Sequence, residues 1–147
     1  MLSEILVEFY ERDILKLKEE VALFKSEENL WKTAGSVKNS SGNIVLHIIG
    51  GLNFLIGTTL GQTGYIRNRD QEFIRKDVPK AELLSGLDKL VPMVREILGK
   101  LTAQQMEDDF PIFFDRPETS TSYVLIQLAL HLNYHLGQVN YLRRILE

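Results

Sequence analysis

Four segments of the chain repeat apolar residues at steps of three and four, which is the period of an amphipathic α-helix. They run from about Leu2 to Phe24, from the polar run 38–43 to about Leu60, from Pro79 to Leu101, and from within 119–122 nearly to the C-terminus. A chain of 147 residues with four such helices is long enough to bury a single hydrophobic core. The pattern therefore predicts an all-α four-helix bundle, with residues 1–147 forming a single domain.

Two smaller features refine this prediction. The run Thr102-Ala103-Gln104-Gln105 has the spacing of a capping box, which predicts a short extra helical turn between the third and fourth long helices. Pro92 lies off the apolar stripe of the third helix, so we expect it to bend that helix on its solvent side. The segment 109–114 is predicted to be extended but is too short to change the fold class.

Charge and composition exclude several classes of function. The net charge of -3, with scattered basic residues, argues against nucleic acid as a partner. The chain has no cysteine, so it has no disulfide, no thiolate metal ligand and no cysteine nucleophile. Glu4 and Glu8 lie where a secretory signal needs a positive region and an apolar core, and we therefore expect a cytoplasmic protein.

One uncharged stretch, Ile44 to Gly61, approaches the length of a membrane span. Its interior contains His47, Asn53 and Thr58, and no asymmetry of lysine and arginine flanks it. We interpret it as a helix buried inside a soluble bundle, and we expect no membrane association.

All three histidines of the chain lie on predicted helices. His131 and His135 are separated by one helical turn, so both imidazoles can be directed to one point, and His47 on the second helix can add a third. The predicted inward stripe of the last helix is Val124, Leu128, His131, His135, Gln138, Leu142 and Ile145. The matching stripe of the second helix is Ile44, His47, Gly51 and Leu55.

Each histidine taken alone is more often a hydrogen-bonded core or boundary residue than a metal ligand. Three inward imidazoles without a shared function would repeat the cost of burying a polar group, which favours a metal site. Three protein ligands leave coordination positions for water or substrate, as in catalytic sites. Leu132 occupies the position of the glutamate in the HExxH peptidase motif, and no Glu-x-x-His pair of a di-iron site occurs.

Two sequence blocks resemble a known family. The run His131-Leu132-Asn133-Tyr134-His135-Leu136-Gly137-Gln138-Val139, together with Asn43-Ile44-Val45-Leu46-His47, resembles the DinB/YfiT-like superfamily of metal-dependent four-helix-bundle proteins. The block Gly64-Tyr65-Ile66-Arg67-Asn68-Arg69-Asp70-Gln71-Glu72-Phe73 is similar to the motif of its DUF1572 branch. The resemblance implies a divalent metal held by His47, His131 and His135, and a homodimer.

The resemblance also implies an activity, because some members of the superfamily are transferases or isomerases that use low-molecular-weight thiols. We expect Zn or Ni, with Fe, Mn, Co or Cu as alternatives. A thiol transferase acting on a small molecule, a metal-dependent hydrolase and a noncatalytic metal-binding or dimeric interaction module all remain open. No general base is identified, so the catalytic residues are unknown.

Four further residues are candidates for contacts around the site. Tyr134 and Gln138 are candidates for contact with a ligand histidine or with substrate, although both are also common as packing or surface residues. Arg67 and Arg69 are candidates for holding an anionic thiol cosubstrate, and the alternative is a turn tied by ion pairs with Asp70 and Glu72.

Overall fold

Six α-helices make up the chain in a computed structural model that describes residues 1–147. They are α1 (Leu2–Leu23), α2 (Ser41–Leu52), α3 (Arg69–Ile74), α4 (Lys80–Gly99), α5 (Ala103–Glu107) and α6 (Thr121–Leu146). A 3-10 turn covers Glu27–Trp31, and a π-helical segment, Asn53–Thr58, continues α2. The segment 109–114 contributes two isolated bridges and no strand. The all-α prediction is confirmed.

The four long helices pack side by side as a four-helix bundle. Helix α1 packs against α4 and α6, and α2 packs against the same two helices from the other side. Buried leucine, isoleucine and valine side chains from all four fill the space between them. The hydroxyl of Tyr10 on α1 is buried and donates to the carbonyl of Leu125 on α6 over 2.6 Å, which satisfies a polar group inside this core.

Three helices begin within the segments that the sequence predicts for their starts, and each begins at a capping residue. The hydroxyl oxygens of Ser40, Thr102 and Ser120 each accept a hydrogen bond, 3.2 Å long, from the backbone N–H three residues later. Thr102 and Gln105 form a reciprocal capping box, so the extra turn is present as α5. Pro92 is exposed and lies within α4.

The second helix differs from its predicted form. It was expected to continue unchanged to about Leu60, but the α-helical hydrogen-bond pattern ends at Leu52 and a π-helical turn follows. There the N–H of Thr59 bonds to the carbonyl of Phe54, five residues back, over 2.9 Å. Ser41–Thr58 is long and apolar enough for a membrane span, but 67% of it is buried inside the bundle, as in a core helix of a soluble protein.

The predicted inward stripe of α6 is wrong at His131 and Ile145, although Leu142 is buried as predicted. The buried line continues through Leu132 and Val139 to Leu142, whereas His131 is exposed and Ile145 is 67% exposed. The prediction took a three-residue step from Leu128 to His131, whereas the packing uses a four-residue step from Leu128 to Leu132. Both steps fit a 3.6-residue period. The consequence is functional, because His131 and His135 lie at the edge of the bundle instead of inside its sealed core.

A similar shift occurs in α1, for which the helical period predicts an apolar face of Leu2, Ile5, Leu6, Phe9, Ile14, Leu17, Val21 and Phe24. Three of these residues, Leu2, Ile5 and Phe9, lie outside the core. These side chains are 41 to 49% exposed, and the fully buried residue in that part of the helix is Tyr10. The remaining predicted positions of α1, from Leu6 to Phe24, are buried.

The corrected α6 register predicts a contrast between two leucines. Leu132→Ala removes a side chain that is 0% exposed, and we expect the free energy of unfolding to fall by about 2 to 5 kcal/mol. Leu130→Ala, at a position that is 59% exposed, serves as the control and should change it by less than about 0.5 kcal/mol. Urea unfolding of both variants measures this, and equal losses would contradict the register.

Candidate metal centre

Three imidazoles from two helices meet at one edge of the bundle. The Nε2 atom of His131 lies 3.0 Å from Nε2 of His135 and 3.3 Å from Nε2 of His47. All three donor atoms lie within 4.8 Å of one another. Helix α6 supplies two of them because its turn places positions i and i+4 side by side, and the contact between α2 and α6 brings in the third.

The two distances from Nε2 of His131 are those expected between ligands of a single cation. Nitrogen atoms about 2.0 to 2.1 Å from a metal lie roughly 3.3 to 3.4 Å apart at tetrahedral angles and about 2.8 to 3.0 Å apart at right angles. The two distances, 3.0 and 3.3 Å, fall within that span. The three histidines fit a divalent transition metal, and the fit does not select one metal from this group.

Hydrogen bonding fixes the protonation pattern of His47. Its Nδ1 lies 3.0 Å from Oε1 of Glu72, and both residues are buried. A carboxylate only accepts hydrogen bonds, so Nδ1 carries the proton and donates. In neutral His47 the Nε2 atom is therefore unprotonated, and its lone pair is directed at His131. This is the carboxylate–histidine arrangement that orients metal ligands in proteins.

His135 is oriented in the same way by a different acceptor. Its Nδ1 lies 2.6 Å from Oε1 of Gln138, one turn further along α6. The amide oxygen accepts the Nδ1 proton, which leaves Nε2 of His135 free as a ligand atom. Gln138 therefore lies in contact with a candidate ligand, as the sequence predicted among its possible roles.

The surroundings keep all three rings neutral. Burial lowers the pKa of His47, and the hydrogen bond and charge of Glu72 only partly oppose this effect. Burial also lowers the pKa of His135. For His131, partial desolvation of the ring by its packed neighbours, the two neighbouring imidazoles and the charges of Arg67 and Arg69 together lower the pKa to about 4. Neutral imidazole is the form that binds metals, so the cluster is ready for a cation at pH 7.

Helix α3 holds Glu72 in place beneath His47. The side-chain amide of Asn43, on α2, donates to the backbone carbonyls of Glu72 and Arg75 over 2.9 and 2.7 Å. Arg67 donates to both carboxylate oxygens of Glu72, over 2.8 and 2.9 Å. Two arginine hydrogen bonds and one imidazole hydrogen bond therefore compensate the burial of this carboxylate.

The approach of Glu72 to α2 depends on a glycine. A Cβ atom at Gly50 would overlap the carboxylate oxygen Oε2 of Glu72. Gly50 lies three residues after His47, so it opens the helix surface on the side where the carboxylate must enter. The sequence pattern predicts Glu72 only as part of an ion-paired turn and does not predict its contact with His47. The signal that indicates it is this glycine, one turn from the histidine.

Two cavities open onto the histidines from different sides. One, of about 280 Å³, is lined by His47 and His131 together with Arg67 and Arg69. The other, of about 750 Å³, is lined by His135, Tyr134, Gln138 and Tyr141 among others. The histidine cluster is therefore not sealed by apolar side chains, and a small molecule can reach it.

The remaining predicted site residues lie around these cavities. Tyr134 is 65% exposed, and its ring packs edge-on to His135 with the ring centres 5.6 Å apart. Arg67 is occupied by its ion pair with Glu72. The guanidinium of Arg69 lies 5.3 Å from the centre of the Phe73 ring, and it forms no ion pair.

Comparison with known proteins identifies relatives but no activity. Residues 6–147 match the model of the DUF1572 family, whose description is "Protein of unknown function". The crystal structure of a conserved protein from Enterococcus faecalis superimposes with a TM-score of 0.76 at 17% sequence identity, over 98% of this chain and 96% of that one. At this identity the likeness establishes the fold alone. No curated protein matches the chain.

The depressed pKa of His131 predicts how the stability of the metal-free protein depends on pH. Between its ordinary value of 6.5 and about 4, the unfolded chain binds a proton at this position that the folded chain does not. The free energy of unfolding should therefore fall as the pH is lowered through this window. Replacing the histidine in His131→Gln should make the fall smaller, as measured by urea unfolding near pH 7 and near pH 5. An identical pH dependence in both proteins would contradict the assignment.

Two substitutions test how His47 is supported. Glu72→Gln weakens the acceptor for its Nδ1 proton, and Gly50→Ala pushes the carboxylate away, so both should lower the affinity for Zn²⁺ by roughly 10- to 100-fold. Competition titration against a chromophoric chelator measures the affinity.

Each of these variants has a matched control. Glu96→Gln removes an exposed carboxylate that is paired only with Lys100, and Gly99→Ala adds a methyl group where no atom lies within 4 Å. Both should bind Zn²⁺ as the unaltered protein does. Unchanged affinity in Glu72→Gln and Gly50→Ala would show that Glu72 does not support the site.

Proposed function

This chain belongs to the DUF1572 family, and on that premise we propose that it is a metal-dependent enzyme that activates a low-molecular-weight thiol for transfer to an electrophilic small molecule. The family description assigns no activity, so the proposal rests on the histidine cluster and its surroundings. His47, His131 and His135 are the proposed metal ligands.

The observation that carries the proposal is the convergence of unprotonated nitrogens. The acceptors Glu72 and Gln138 leave Nε2 of His47 and Nε2 of His135 without protons, and both face Nε2 of His131. His131 can place at most one proton there, which cannot serve both neighbouring lone pairs well. A divalent cation interacts favourably with all three nitrogens at once. Zn²⁺ and Ni²⁺ are the proposed ions, with Fe, Mn, Co and Cu as alternatives.

A cation bound by three protein ligands supplies an open position and acidifies a thiol or water bound there. The protein residues do the rest: Glu72 and Gln138 hold the ligand rings, and Arg67 balances the charge of Glu72. The two cavities admit small molecules to His131 and His135. The overall change would be displacement of a leaving group from carbon by sulfur, with the thiol proton released to solvent.

The residues around the histidines favour thiol transfer over hydrolysis. No aspartate or glutamate lines either cavity beside the cluster, and Glu72 lies behind His47, where both of its carboxylate oxygens accept hydrogen bonds from Arg67. A hydrolase of this kind commonly uses a carboxylate as general base, and Leu132 replaces the one in the HExxH motif. A thiol is a much stronger acid than water, with a pKa of about 8.5, and needs no such base.

Three accompanying features belong to the same proposal. The partner is a small molecule, the protein acts in the cytoplasm, and it forms a homodimer. An exposed apolar patch at the start of α1 is the candidate dimer surface, and its residues are Leu2, Ile5 and Phe9.

Metal analysis followed by an activity assay tests the proposed function. The purified protein should bind one equivalent of a divalent metal and should accelerate the reaction of a small thiol with 1-chloro-2,4-dinitrobenzene, releasing chloride. His131→Ala removes the ligand that lies between the other two, so metal and turnover should both be lost while the circular dichroism of the helices is retained. Leu130→Ala, an exposed neighbour on α6, is the control and should keep both.

Two results would overturn the proposal. One is the absence of metal-dependent turnover with every divalent ion named above. The other is turnover in His131→Ala equal to that of the unaltered protein.

A further inference from the structure

Two arginines adjoin the histidine cluster, and they differ in what they contact. The side chain of Arg67 is 15% exposed, and its guanidinium donates two hydrogen bonds to the Glu72 carboxylate. Arg69 is exposed and has no carboxylate partner. Because the charges of Arg67 and Glu72 cancel, Arg69 leaves one uncompensated positive charge at this edge of the cluster.

The position of Arg69 is held by stacking. Its guanidinium lies over the ring of Phe73, one turn along α3, at 5.3 Å from the ring centre. The Phe73 ring in turn packs against His47, with the ring centres 5.0 Å apart. A guanidinium on an aromatic face keeps its edge free, so all of its N–H donors along that edge remain available to a ligand.

Arg69 also shares a cavity with the candidate metal ligands. The cavity of about 280 Å³ is lined by Arg69, His47 and His131, and its other walls are mostly apolar, including Ile48, Leu52 and Leu128. No acidic residue lines it. A molecule bound at His131 therefore meets one free guanidinium on an otherwise largely uncharged surface.

We propose that Arg69 binds a carboxylate group of the small molecule that occupies the histidine cluster, which makes the substrate a carboxylate-bearing thiol. A carboxylate matches the planar guanidinium with two parallel hydrogen bonds, and the positive charge of Arg69 compensates its negative charge. This assignment rests on the proposed function and adds the chemical class of the substrate.

Two matched thiols test the assignment on the metal-loaded protein. 3-Mercaptopropionate and 3-mercapto-1-propanol have the same chain length and differ in the carboxylate. Calorimetry should show that the unaltered protein binds the carboxylate compound about 10-fold more tightly, the value of one good charge-assisted hydrogen-bonded pair. Arg69→Gln should remove this preference without changing the affinity for the alcohol, and Arg69→Lys should retain part of it.

Arg116→Gln is the control. Arg116 also lies over an aromatic ring, Tyr123, at 4.6 Å and forms no ion pair, but it does not line the cavity. This variant should keep the full preference. A preference that survives in Arg69→Gln, or that disappears equally in Arg116→Gln, would overturn the assignment.

A second measurement separates this assignment from the metal proposal. Propionate, which has no thiol, should shift the NMR resonance of the Arg69 Nε–H in the metal-free protein in a saturable way, and 1-propanol should not. A shift without any metal binding would leave the carboxylate site standing and the enzyme proposal refuted. Metal-dependent thiol binding without a propionate shift or an Arg69-dependent preference would refute the carboxylate site and leave the enzyme proposal standing.

Discussion

The hydrogen bond between Nδ1 of His47 and the carboxylate of Glu72 is the interaction on which the candidate site depends. It fixes the ring orientation of His47 and leaves its Nε2 lone pair facing the cluster. The contact requires a buried carboxylate, which is costly unless it is paired. Arg67 supplies the pairing and Gly50 supplies the space, so three residues from different parts of the chain support one ligand.

The position of the cluster at the edge of the bundle explains how it can be both ordered and accessible. The core of α6 is formed by leucines and valines, among them Leu132 and Val139. The histidines occupy the adjoining face, where partial desolvation still lowers their pKa values but the cavities reach His131 and His135. If the histidines lay in the core of the bundle, packing would orient their rings but no substrate could reach them. One face of α6 therefore stabilises the fold, and the neighbouring face holds two of the candidate metal ligands.

Much of the fold could be predicted from the sequence, because helical period and capping are local properties. The starts of α2, α5 and α6 follow from Ser40, Thr102 and Ser120, whose side chains act within three residues. The burial register of α6 could not be fixed in the same way. Leu128 allows a following step of three or four residues, and only packing against the other helices decides between them.

The same distinction between local features and contacts across the fold applies to the candidate site. The grouping of His131 with His135 follows from the turn of one helix, and the approach of His47 was predicted from the bundle and from the family resemblance. The contact of Glu72 with His47 spans 25 residues and depends on the path of the chain through α3. The difference between Arg67 and Arg69 likewise depends on which of the two reaches Glu72, and their sequence positions do not determine this.

X-ray absorption spectroscopy of the zinc-loaded protein tests the central claim most directly, because it reports the atoms bound to the metal. The account predicts three imidazole nitrogens at about 2.0 to 2.1 Å, with the outer-shell scattering typical of histidine rings, and one further light-atom ligand. In His131→Ala that histidine signal should shrink or the metal should be lost. A spectrum with fewer than three imidazole ligands, or one unchanged by His131→Ala, would contradict it.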